Sequence, residues 1–151
     1  MKYVSQRLRE LLTLMNTRWP AFSAAELEYT PAPGKWSKKE ILGHLIDSAA
    51  NNHRRFVLSQ TSPEPLVITP YDQEQWVALA RYQNTPGTEL LQFWTLYNSL
   101  IARLLEQLPA TSADFRCEFD NGYGVSLRWL AEDYVMHMEQ HIQQILNRTS
   151  N

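Results

Sequence analysis

Two histidines, His137 and His141, stand four residues apart in the stretch SLRWLAEDYVMHMEQHIQQILN, which runs from Ser126 to Asn147. On a helix that spacing turns both imidazoles the same way, one turn apart. Leu127, Leu130, Ala131, Tyr134, Met138, Ile142 and Ile145 fall on one apolar stripe of the same wheel. Both histidines lie on its flank, next to Leu130 and Tyr134. Two neutral ring nitrogens at the border of a core are half of a metal site and need a further ligand from elsewhere in the chain. Cys117 is the only cysteine, so neither an internal disulfide nor a cysteine-based zinc site is available. Histidine and oxygen donors remain.

A candidate third ligand lies far upstream. Ser37-Lys38-Lys39-Glu40 has the form of a capping box, and the helix it opens should run to about Ser59. On that wheel His44, Ser48, Asn51 and Arg55 fall within about 60° of one another, beside a stripe of Ile41, Leu45, Ala49, Asn52 and Phe56. A helix with polar groups only for solubility would keep them on the far side. The expectation is a three-histidine site of His44, His137 and His141, with other coordination positions left open. A lone histidine at a core border is more often a satisfied core residue, and the pair lacks the glutamate a metalloprotease helix carries. The claim therefore rests on the three together. Asp47 and Asp133 are placed to accept the distal ring proton of a ligating histidine. Ser48, Asn51, Arg55 and Tyr134 are the candidates for a substrate pocket, with Asn51 and Arg55 suited to an anionic group. His53 falls on the opposite, polar side of its helix and is assigned to solvent.

The elements that would position these groups follow from periodicity. Val4, Leu8, Leu11, Leu12, Met15 and Trp19 mark a first helix over Lys2 to Arg18, ended by Pro20. Ser23 to Leu27 adds a short turn. Pro63 and Pro65 form a linker, followed by a short helix from Tyr71 to Leu79 capped by Asp72. Thr85-Pro86 opens a third long helix through Leu90, Trp94, Tyr97, Ile101, Leu104 and Leu108. Phe115 to Val125 alternates around Asp120-Asn121-Gly122, so a small hairpin is an option there. Ser126 caps the fourth long helix. The economical solution is all-α, an antiparallel four-helix bundle, with a connection of about 25 residues between the second and third long helices that calls for a crossover.

Composition bounds the rest. With 151 residues, 44% hydrophobic and 20% charged, one domain over residues 1–151 is expected. A net charge of −2 offers no electrostatic footprint for nucleic acid or an anionic membrane. No apolar run approaches the ~20 residues of a membrane helix, and Arg7, Arg9 and Glu10 interrupt the N-terminus where a signal peptide is apolar. A cytoplasmic protein acting on a small molecule is expected.

Pro33-Gly34-Lys35-Trp36-Ser37-x-x-Glu40-x-x-x-His44-Leu45-x-Asp47, followed by His137-x-x-x-His141-x-x-Gln144-Ile145, resembles the DinB/YfiT-like superfamily of metal-dependent proteins. The resemblance spans nearly the whole chain. It implies a four-helix bundle with a long crossover, commonly a homodimer, and metal ligands at His44, His137 and His141. It also implies transferase or isomerase chemistry with a low-molecular-weight thiol such as bacillithiol, mycothiol or glutathione. Met138 is a departure, since many relatives carry an acidic residue there. From the residues alone two chemistries stay open around a divalent ion, zinc or nickel: delivery of a thiol to an electrophile, or hydrolysis. The rival is a non-catalytic, dimeric binding or structural bundle.

Overall fold

The computed structural model describes residues 1–148. Helix α1 covers Lys2–Arg18 and buries Val4, Leu8, Leu11, Leu12 and Met15. Trp19–Ala21 follows as a 3-10 turn with Pro20 inside it. The short α2, Ala24–Glu28, is opened by a capping box in which Ser23 and Glu26 satisfy each other's backbone amides. Ser37 and Glu40 do the same for α3, Lys38–Leu58. The connection that follows holds a strand, β1 (Leu66–Ile68), and a helix, α4 (Gln73–Ala80), whose first turn is capped by Asp72 accepting from the Gln75 amide. Arg81 ends α4 in the left-handed conformation at φ 53°. Helix α5 spans Gly87–Gln107, and after β2 (Arg116–Phe119) and β3 (Gly124–Ser126), Ser126 caps α6, Leu127–Asn147.

The four long helices close a ring. Helix α1 packs on α5 and α6, and α3 packs on the same two from the other side. Leu8, Met15, Ile41, Leu45, Phe56, Trp94, Ile101, Met138 and Ile142 are fully buried between them. Among the described residues no helix is long and apolar enough to cross a membrane.

The chain is mostly helical, and beside the bundle β1, β2 and β3 form a small three-stranded sheet in that order, of which the expectation had only the hairpin. The hairpin pairs Arg116 with Ser126 and Glu118 with Gly124, and turns at Gly122, whose φ of +80° suits a residue without a Cβ. β1 joins β2 in parallel, Leu66 opposite Cys117 and Ile68 opposite Phe119. Three residues hemmed in by Pro63, Pro65 and Pro70 are too short a run to show a period of two. Their partner also comes from about 50 residues away, where no local pattern reaches.

Candidate metal centre

Helices α3 and α6 lie against each other, and their ends are tied together. Lys38, only 1% exposed, sends its ammonium to the carbonyls of Ile145 and Arg148, where the last turn of α6 has carbonyls without helical partners. The Arg148 guanidinium returns a hydrogen bond to the Trp36 carbonyl. This clasp sets His141, four residues before Ile145, against the first turns of α3.

There the three histidines meet. A nitrogen from each of His44, His137 and His141 lies within 4.8 Å of the other two. The Nε2 atoms of His44 and His137 are 3.2 Å apart, and ring centroids are separated by 5.1 Å, 4.8 Å and 4.6 Å around the trio. His44 is fully buried; His137 and His141 are half-buried. The Trp36 ring covers His44 from outside, its centroid 5.0 Å away. His141 donates from Nδ1 to the Gln144 side-chain oxygen at 3.0 Å, which leaves Nε2 with its lone pair.

Burial keeps the cluster uncharged. Desolvation, then the neighbouring His137 and His141, pull His44 down to about 3. His137 falls to about 4 through desolvation and then His141, and His141 is lowered by desolvation against the Gln144 hydrogen bond. Neutral imidazoles are what a metal needs. His44 Nδ1 is moreover buried without a hydrogen-bond partner among the described residues, while its Nε2 faces His137. Three neutral nitrogen donors converging without a thiolate or carboxylate among them fit a divalent metal ion.

The other expected residues are distributed around this cluster. Asp47 is buried but turns away, accepting the Tyr82 hydroxyl on Oδ1, while its Oδ2 has no partner. Burial holds its pKa above the ordinary carboxylate value, against the Tyr82 hydrogen bond. Asp133 is likewise raised by burial and opposed by Arg55. Neither carboxylate hydrogen-bonds a histidine among the described residues. Gln144 has that role for His141; its spacing of three on the same helix face was the available signal. His53 lies apart from the cluster, and its Nδ1 is 3.2 Å from the Tyr97 hydroxyl of α5, a contact the solvent assignment did not include.

Beside the cluster a cavity of about 190 Å³ opens between α3, α6 and the connection that joins α3 to α5. His137 lines it, with Ser48, Asn52, Arg55, Asp133 and Tyr134. Ile68, Pro70, Tyr71 and Phe119 form much of its apolar wall. His44 and His141 do not line it. Asn51 is absent from the lining, its side-chain amide donating to the Asp47 carbonyl, and the neighbouring Asn52 takes the place on the cavity wall. Tyr134 presents its ring, since its hydroxyl is bonded to Asn98.

The sequence pattern of the DinB superfamily matches residues 4–145. A Bacillus subtilis relative, YfiT, provisionally named a metal-dependent hydrolase, is 28% identical over 144 residues, covering 93% of this chain and 79% of its own. A similarly named Oceanobacillus iheyensis protein is 27% identical over 120 residues, 80% of this chain and 69% of its own. The solved structure of YfiT, described as a probable metal-dependent hydrolase with an unusual four-helix bundle topology, superposes with a TM-score of 0.85 at 24% identity, over 95% of this chain and 82% of that one. A mycothiol-dependent maleylpyruvate isomerase shares the fold at a TM-score of 0.75 and 11% identity, with 99% of this chain matched to 61% of that one.

Proposed function

The chain belongs to the DinB superfamily, and on that premise we propose that it is a metal-dependent enzyme in which His44, His137 and His141 hold one divalent ion, zinc or nickel, beside a pocket for a small molecule. The observation that carries this is the convergence of three uncharged imidazole nitrogens within 4.8 Å. When bound, the ion would supply Lewis acidity at full positive charge, since none of its three protein ligands is anionic.

The surrounding residues do the rest. Gln144 fixes the His141 tautomer, Trp36 shields His44 from water, and the clasp by Lys38 holds the two helices in register. His137 is the member of the trio that faces the cavity, so a reacting group is brought in along its side. Asp133 and Arg55 orient that molecule, and Asp47 stays engaged with Tyr82. The reaction we assign is transfer to or from a low-molecular-weight thiol, supported by the fold shared with a mycothiol-dependent isomerase. Hydrolysis is the second reading, favoured by the names of the curated relatives. A cytoplasmic homodimer without a nucleic-acid partner belongs to the same proposal, and the net charge of −2 supports the last part.

Metal content after purification without an immobilised-metal column tests the centre. One equivalent of divalent metal is expected, lost in His44→Ala and His141→Ala and kept in His53→Ala. Substoichiometric metal in the parent protein, or equal loss in all three variants, would overturn the assignment. Turnover of electrophiles with a thiol panel, against turnover of esters and amides without thiol, separates the two reactions.

A further inference from the structure

Arg55 and Asp133 face the same cavity with opposite charges and do not pair. The ion pairs among the described residues join Arg7 to Glu10 and Glu139, Arg9 to Glu106, Lys39 to Glu28 and Arg116 to Glu118. Neither Arg55 nor Asp133 takes part in one. Both are half-buried. The guanidinium has five N–H donors and uses one of them, from Nη1 to Asn52 Oδ1 at 3.2 Å. Burial lowers its pKa despite the favourable fields of Tyr71 and Asp133, and the same desolvation raises the pKa of Asp133. Each group thus bears a desolvation cost that the field of the other, without direct contact, offsets only in part. A ligand with a single charge would relieve one of them and be repelled by the other. A ligand carrying both charges on adjacent atoms relieves both and bridges the gap that keeps them from pairing.

Resting on the function proposed above, we propose that the cavity recognises a small molecule through an α-amino-acid group, its carboxylate on the Arg55 fork and its ammonium on Asp133. The remainder of the molecule runs along the Ile68 and Phe119 wall towards His137, the one histidine of the trio on the cavity. The volume of about 190 Å³ admits a substituent of a few heavy atoms. The substrate class is therefore a zwitterionic amino acid or a conjugate that keeps its amino-acid end free.

Calorimetric titration of the zinc-loaded protein with L-norleucine, N-acetyl-L-norleucine and L-norleucine methyl ester tests this. L-Norleucine is expected to bind at least tenfold more tightly than either blocked form. Arg55→Gln should cost tenfold or more for L-norleucine and the N-acetyl compound and leave the ester unchanged. Asp133→Asn should cost tenfold or more for L-norleucine and the ester and leave the N-acetyl compound unchanged. Equal binding of all three compounds, no binding, or variants that bind like the parent would overturn the proposal. If Arg55→Gln lowers the melting temperature, Arg55→Lys, which keeps the charge and removes the fork, and Asp133→Asn carry the test. Metal content and a titration of metal-free protein accompany each variant. Preference for the zwitterion in a protein that binds no metal would sink the metal-centre reading and spare this one; full metal occupancy without the preference would do the opposite.

Discussion

Gln144 takes the Nδ1–H of His141 at 3.0 Å and leaves the other ring nitrogen to face the cluster. Partners of this kind typically contribute 10–100-fold in metal affinity. Gln144→Ala is expected to weaken zinc binding within that range in a competition titration while leaving the melting temperature of metal-free protein within a degree or two; unchanged affinity would remove Gln144 from the site. Proton uptake gives a second prediction. In the unfolded chain these imidazoles titrate near 6.5, whereas the folded protein refuses protons until about 4 at His137 and about 3 at His44. Between those values the unfolded state binds more protons, so metal-free protein loses stability as pH falls from about 7 towards 4. Asp47 and Asp133, raised by burial, act in the opposite sense but are present in any histidine variant. His137→Gln should flatten the dependence of melting temperature on pH over that window, and an unaltered slope would contradict the depressed pKa. The three histidines were legible from spacing and flank alone. Their surroundings were not: Asp47 is engaged by Tyr82, a residue of the connection between α3 and α5 that no wheel of α3 could bring there.

At the scale of elements, caps and breakers were the most readable features. Ser37, Asp72 and Ser126 each accept from the amide three residues on, as their sequence contexts predict. Ser37→Ala is expected to cost about 1 kcal/mol, seen as a lower denaturation midpoint. The close approach of the connection between α3 and α5 to α3 itself was unreadable, because it depends on Gly43 having no side chain. A Cβ there would stand 2.0 Å from Tyr82 Cδ2 and 2.2 Å from Cγ. Gly43→Ala must displace that ring and with it the hydroxyl on Asp47. The expected destabilisation is about 1–3 kcal/mol. Combined with Tyr82→Ala in a double-mutant cycle the two effects should be far from additive, and additivity would mean that ring and glycine do not meet.

For the molecule as a whole, the candidate ligands are divided between α3 and α6, separated in sequence by 93 residues from His44 to His137. A metal bound there joins helices otherwise held by packing and by the Lys38 clasp. Zinc at 100 times its dissociation constant adds about 2.7 kcal/mol to a site absent from the unfolded chain. That corresponds to a rise of roughly 5–10 °C in melting temperature. A rise in His53→Ala equal to the parent's, with none in His44→Ala, is the expected pattern. The connection from Ser59 to Pro86 also has a mechanical character that its proline-rich sequence conceals. It is riveted twice, by β1 on β2 at one end and, at the other, by the Tyr82 hydroxyl on Asp47 and the Lys39 ammonium on the Gln83 carbonyl. The outer wall of the cavity, with Tyr71 and Gln73, hangs between those rivets. Amide protons of β1 should therefore exchange slowly and those of the stretch around Pro70 to Gln73 quickly. A ligand would then enter and leave through the span between two fixed points, at a rate independent of global unfolding.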